Sequence, residues 1–506
     1  MKKNKTALFI FLIGCLIFLL YLIPNTRGIR NEHMLSILSQ DESILYPYLV
    51  QMLTPGANLL ETIKNFVSYQ HYYYGYLFYL ISALAVLPVR LLAGSQFGSM
   101  TQVNMLLLRQ MVSVLPAIAA AGVFTWLQTR FRSTWKSILL FVFLLLVPAL
   151  VLNNLWFWHP DGLVLLGVAL TLFFLDRDRY KFGHDFYLAA LFCGMTAAVK
   201  VIGFFFFLAI MIYLLLALRQ KYLTPQQLVR PAMVFLFIVV AAFVLLNPLL
   251  LVPHTRTQIF KVQQEQNYFV THGWEDEDTY ETGLAAWLPY LRQWYALPIF
   301  TLFLLLSLAV GIWKSRQQPT YWLLLGWIIP YSLYLIFFVA IKPTHYWLPT
   351  FIPLLSNALV LVPDDLFARP FDPRRISSWV AVTCFLLFGL QSADYLKKDA
   401  RLLQRTLEKE RLLLACNSQA ENAADGQMVM LDPSRWYRME TYDARTHPAR
   451  REFTFTQGNL GVTAFTDYGQ LAWACVNEGE ARFSAQRSAE IYRESHPRQL
   501  VSYQQP

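Results

Sequence analysis

Charge is what this sequence has least of. Asp, Glu, Lys and Arg make up 15% of its 506 residues, against about 25% in a soluble domain. Hydrophobic residues make up 56% and aromatic ones 16%, and the mean hydropathy is positive. Several apolar runs approach the roughly 20 residues that cross a bilayer as a helix. The expected class is a polytopic α-helical membrane protein. Three signatures are also missing: Cys/His zinc spacing, a phosphate-binding glycine loop and a dinucleotide fingerprint. Chemistry on nucleotide sugars therefore has no support. There is no internal repeat and no low-complexity segment. Cysteine is scarce, with five residues. Cys15, Cys193 and Cys384 fall inside apolar runs and read as small core residues. Cys416 and Cys475 fall in the polar tail, where they can pair in an oxidising compartment.

The net charge is +10, but it does not read as a nucleic-acid footprint. Lys and Arg cluster in short loops between apolar segments, as orientation signals do. Lys2, Lys3 and Lys5 precede the apolar run Ala7–Ile23, which lacks a small-residue cleavage site. It reads as an uncleaved signal anchor with the N-terminus inside. Leu12-Ile13-Gly14-Cys15 resembles a lipoprotein cleavage box, yet the apolar run continues past Cys15. Further basic clusters occur at Arg130/Arg132/Lys136, Arg177/Arg179/Lys181, Arg219/Lys221/Arg230, Lys314/Arg316 and Arg369/Arg374/Arg375. All six can be cytoplasmic together in one alternation, with spans near 7–23, 104–127, 137–154, 161–176, 186–199, 201–218, 232–252, 293–313, 320–341, 346–363 and 376–394. That makes about eleven crossings and an external C-terminus. A break is expected near Lys200–Gly203. Tyr76–Ala93 carries Pro88 and Arg90, and as a crossing it would invert every later loop. It reads as an interfacial helix. The expected organisation is a membrane domain at 1–395, with an outer loop at 24–103, and a soluble extracytoplasmic α/β domain at 396–506. In the latter, Met428–Asp432 followed by Pro433 reads as a strand ending in a turn, and Leu402–Leu414 has helical spacing.

This alternation puts most of the unusual polar residues on one face. Asp41-Glu42 can supply a general base or hold a divalent metal, Mg or Mn, through carboxylate oxygens. The pair can also be ordinary solvated loop. Asp161, in His159-Pro160-Asp161, can be a helix N-cap or a second carboxylate that orients an acceptor or a metal. Arg109 and Lys200 can snorkel or grip a lipid phosphate through charge-assisted hydrogen bonds. Lys342, His345 and Tyr346 fit an interfacial belt, or bind a phosphate or flank a sugar. The Gln70-His71-Tyr72-Tyr73-Tyr74 stretch lies on the same face. So does the loop 253–292, with His254, Arg256, His272 and the acidic run Glu275-Asp276-Glu277-Asp278. That run reads as solvated surface.

In this order, the motifs resemble the GT-C-fold glycosyltransferases, close to the protein O-mannosyltransferase and aminoarabinose-transferase type (glycosyltransferase family 39 and its relatives). The matches are Asp41-Glu42 after the first span, Arg109 and Ser113 at a later span, Asp161 opening another, Asn247-Pro248 leaving a span, and Tyr346-Trp347-Leu348-Pro349 with Pro353. Many relatives carry Pro-Pro-Leu after the acidic pair, where this chain has Gln70-His71-Tyr72-Tyr73-Tyr74-Gly75-Tyr76. The resemblance implies a hexosyl- or pentosyltransferase with a polyprenyl-phosphate-linked sugar donor. It implies an inverting transfer, outside the cytoplasmic (inner) membrane, to a lipid, glycan or protein acceptor. Asp41 would deprotonate the acceptor hydroxyl, and Glu42 would position it, the acceptor or a metal. Arg109 and Lys200, with Lys342 or His345, would stabilise the departing phosphate. Substrate contacts are also expected at His71, His159, Arg256 and Tyr346, and a divalent metal would sit on Asp41, Glu42 and Asp161. A transporter or flippase of lipid-linked saccharides is the rival class, though it would place charge at mid-membrane and often show repeats. A polysaccharide polymerase or ligase is the third.

Overall fold

The computed structural model describes residues 2–27, 29, 35, 40–155, 157–273, 281–314, 319–362 and 382–398, a few isolated positions near 400–407, and the strands below. The helices in chain order are α1 Lys2–Asn25, α2 Gln40–Met52, α3 Leu59–Val67, α4 Tyr76–Ala93, α5 Thr101–Leu108, α6 Leu115–Thr129, α7 Thr134–Leu145, α8 Pro148–Asn154, α9 Asp161–Asp178, α10 His184–Val199, α11 Phe207–Arg219, α12 Val229–Leu245, α13 Pro253–His272, α14 Leu284–Trp294, α15 Pro298–Lys314, α16 Pro319–Phe338 and α17 Leu348–Ser356. Residues 382–398 are also helical.

Among the described residues, six helical runs are long and apolar enough to cross a membrane, or up to eight if each of two bent pairs counts as one span. The polytopic helical class follows directly. Several other expected spans do not form single long helices. These are short or broken, and prolines mark the two bent pairs. α7 and α8 meet at 65° where Val147 hands over to Pro148, and α14 and α15 meet at 96° at Leu297-Pro298. Proline at the first helical position fits, but it turns the preceding residue away from helix. The expected break at Lys200 is present. α10 stops at Val199, a 3-10 turn spans Val201–Phe206, and α11 follows.

α4 is helical over Tyr76–Ala93, the extent expected for it. With the 3-10 turn Gly94–Ser99 it forms one helical run, Tyr76–Ser99, of 24 residues. Its length and apolar composition suffice for a crossing. Pro88 is accommodated within the helix. α3 buries none of its residues and exposes Leu59, Leu60 and Ile63. Asn58 caps it, its Oδ1 accepting from the Glu61 amide at 2.9 Å.

The chain divides into two compact units. The first comprises Met1–Asn25, Leu45–Phe97 and Asn104–Asp399. Its core is built on α9, which packs on α6 and α10, while α10 packs on α12. The second comprises Thr26–Ile44, Gly98–Val103 and Ala400–Pro506. It contains a four-stranded antiparallel meander of β1 Met428–Asp432, β2 Arg435–Tyr442, β3 Glu452–Gln457 and β4 Leu460–Phe465. Val429 pairs with Tyr437, Glu440 with Thr454, and Thr454 with Ala464. The strand expected from Met428 is β1. Cys416, Cys475, the acidic run 275–278, Arg316, Arg369, Arg374 and Arg375 lie outside the described residues.

Candidate functional site

Four segments of the first unit converge where α9 begins. They are the turn before α4, the approach to α9, the break after α10, and the connection from α16 to α17. Two glycines allow the approach. A Cβ on Gly75 would lie 1.8 Å from the Ala198 carbonyl oxygen, and one on Gly162 would lie 2.6 Å from that of Ser113. Only a residue without a side chain fits either contact. The Gly75 amide donates to the Val199 carbonyl at 3.0 Å. The next amide, of Tyr76, donates to Asn247 Oδ1 at 2.7 Å. The Asn247-Pro248 exit from α12 thus ties the tyrosine turn to the end of α10.

Asp161 is the centre. Its side chain is 1% exposed, and Pro160, not Asp161, holds the N-cap position of α9. The carboxylate is instead paired. Lys200 Nζ lies 3.1 Å from Oδ1. His159 Nδ1 lies 2.5 Å from Oδ2, and His345 Nε2 lies 3.5 Å from the same oxygen. The sequence gives Lys200 no local partner; its partner is 39 residues away in the chain. The extended backbone of Lys200, φ −152° and ψ 129°, lets it leave the helix and reach across. Lys200 also lies 5.1 Å from the centroid of the Tyr346 ring, a cation–π distance.

His159 is held on every side. Its Nε2 is 2.6 Å from the Tyr74 hydroxyl. Its ring stacks on Phe157 at 4.5 Å and tilts against His345 at 4.5 Å. Ser113 Oγ donates to the Phe157 carbonyl at 2.8 Å and accepts from the His159 amide at 3.2 Å. Ser113 lies in a π-helical turn, Arg109–Val114, an irregularity frequent at functional sites. His345 lies outside the apolar helices. Burial holds its imidazole well below its ordinary value, and the Asp161 carboxylate pulls the other way.

The structure therefore brings together Asp161, His159, Lys200, His345 and Tyr346. Tyr74 and Ser113 complete the group as supports. Tyr74 sat unmarked in its aromatic stretch, and Ser113 stood only as a motif match. His71 adjoins the group, its ring 6.0 Å from that of Tyr74 and its Nδ1 2.7 Å from the Tyr79 hydroxyl. Burial lowers the His71 pKa to about 4.

The other expected cations stand apart. Arg109 is fully buried, with Nη1 3.3 Å from the Asn25 carbonyl oxygen. Lys342 is engaged by the carbonyls of Glu281, Val339 and Ala340 and lies 4.7 Å from the centroid of the Trp287 ring. Burial lowers its pKa. Arg256 is exposed on α13. Asp41 and Glu42 belong to the second unit. They form the first turn of α2, where acidic groups suit the helix dipole. Asp41 is exposed and Glu42 is buried.

Among the described residues, His159, Asp161 and His345 form a group that could hold a metal ion.

No family model and no curated protein matches this chain. Two solved structures of ArnT from Cupriavidus metallidurans are similar to it. The apo form is 13% identical, with a TM-score of 0.44, over 84% of this chain and 67% of that one. The form bound to undecaprenyl phosphate is 11% identical, with a TM-score of 0.46, over 98% of this chain and 80% of that one. Likeness at this level fixes neither a reaction nor a substrate.

Proposed function

We propose that this chain is a membrane glycosyltransferase that moves a sugar from a polyprenyl-phosphate carrier to an acceptor hydroxyl at the extracytoplasmic face, with inversion. One observation carries the reading: the buried Asp161–Lys200 pair, flanked by His159 and His345, where α9 begins and α10 ends. Ionisable groups among apolar helices are costly and mark sites of function. The reaction fits this chemistry. The acceptor oxygen bonds to the anomeric carbon as the bond from that carbon to the phosphate oxygen breaks. The electron pair leaves on the lipid phosphate, where negative charge grows. Lys200 is the cation suited to meet it, with Asp161 holding the ammonium in place and Tyr346 beside it. The base is assigned from sequence alone: Asp41, an exposed carboxylate, takes the acceptor proton.

The test is incubation of the purified chain with a panel of polyprenyl-phosphate sugars, measuring release of free lipid phosphate. Asp41→Asn should cut release by about 10²–10⁴-fold if it removes the base. Lys200→Met should cut it as well, while the protein stays inserted. Transbilayer movement of the intact donor, without release of lipid phosphate, would instead establish the transporter reading. Turnover only with a polymeric lipid-diphosphate donor would establish the polymerase or ligase reading.

A further inference from the structure

The contact between His159 and Asp161 is unusual. At 2.5 Å, Nδ1 and Oδ2 touch, yet neither atom has a hydrogen-bond partner of acceptable geometry, although both are buried. Most buried polar atoms in proteins have a hydrogen-bond partner. The third group, His345 Nε2, aims at the same oxygen from 3.5 Å. One ligand atom from each of the three residues lies within 4.8 Å of the other two. Two donors on one tetrahedral zinc ion stand about 3.3 Å apart, from bond lengths of about 2.0–2.1 Å. The His345–Asp161 separation already matches. The His159–Asp161 contact opens to that value with a shift of under about 1 Å.

We propose that His159 Nδ1, Asp161 Oδ2 and His345 Nε2 bind a divalent transition-metal ion of the zinc class. Two imidazoles with one carboxylate favour zinc or cobalt over magnesium and manganese, which prefer all-oxygen sites. The supporting contacts suit such a site. The ring nitrogen of His159 that faces away from the triad meets the Tyr74 hydroxyl at 2.6 Å, as metal-bound histidines are commonly held. Lys200 takes Oδ1 and leaves Oδ2 to the two rings. Three protein donors leave a further position open, and the positive charge of Lys200 beside it favours an anionic oxygen there.

The test uses the full chain in detergent, stripped with chelator and equilibrated separately with Zn(II), Co(II) or Mg(II). Metal content is measured by mass spectrometry and the Co(II) form by visible absorption. The expected result is about one retained Zn(II) or Co(II) per chain, no retained Mg(II), and a cobalt spectrum free of thiolate charge-transfer bands. His345→Ala and His159→Ala should each weaken binding by at least about tenfold. Lys200→Met, which removes the competing cation, should retain the ion or hold it more tightly. A wild-type chain that retains neither Zn(II) nor Co(II) overturns the proposal, whatever its transferase activity. Thiolate bands overturn it too, because they place the ion on cysteine. Undiminished retention in both histidine variants does the same. The wild-type spectrum needs no variant to fold.

Discussion

Asp161 and Lys200 stabilise the fold chiefly by not being separated. Each is nearly buried, and a charge left there alone bears the full cost of desolvation. Removing one partner of such a pair typically costs about 3–5 kcal/mol, while replacing both with apolar groups costs far less. Lys200→Met and Asp161→Leu should therefore each lower the thermal midpoint sharply in detergent. The double variant should recover a large part of the loss, with a coupling of about 1–3 kcal/mol; strictly additive losses would show that the two charges do not meet. His71 makes a different prediction. It is neutral in the fold, and its pKa falls from 6.5 to about 4 through burial. The unfolded chain then binds more protons between those values, so stability is present above pH 6.5 and is lost as pH falls toward 4. His71→Gln should flatten this acid sensitivity, seen as a smaller drop in the thermal midpoint between pH 7 and pH 4.5. An unchanged drop would place the acid-labile group elsewhere.

At the scale of elements, the site depends on how closely segments approach. Gly75 and Gly162 set two of those distances, and Asn247 sets a third through the Tyr76 amide. Gly75→Ala would drive a methyl group into the Ala198 carbonyl and should cost about 1–3 kcal/mol or more. Asn247→Ala leaves the Tyr76 amide without its acceptor, which should cost about 1–3 kcal/mol. Thermal unfolding measures both, and Gly75→Ala should be the worse. Much of this scale was legible in the sequence. The break at Lys200 lies between two apolar runs too short to be one bundle of straight spans, and Met428–Asp432 shows a strand pattern. The partner of Lys200 was not legible, because pairing across 39 residues depends on which way an irregular backbone turns. The surroundings of Arg109 and Lys342 were not legible for the same reason. Sequence shows a cation near an apolar run, but not the carbonyls that fold back onto it. Tyr74 was hidden among equivalent tyrosines, and only the turn at Gly75 singles it out.

At the scale of the whole molecule, the open question is which loops share a side, and α4 decides it. Tyr76–Ser99 is long enough to cross, yet a crossing there would put the loops of Arg130, Arg177 and Arg219 outside, against the tendency of Lys and Arg to stay in the cytoplasm. α5 and α6 continue through a π-helical turn into one helical run, Thr101–Thr129. The chain between α4 and that run is too short to cross again, so the side of Ser99 fixes every later loop. Orientation by basic loops requires Ser99 to be external. In a chain whose native cysteines are replaced, Gln96→Cys and Arg256→Cys should both react with a membrane-impermeant thiol reagent in intact cells, and Lys221→Cys should react only after permeabilisation. If Lys221→Cys were labelled from outside and Arg256→Cys were protected, α4 would be a true crossing, the loop carrying His254 and Arg256 would face the cytoplasm, and an extracytoplasmic transferase would lose its basis.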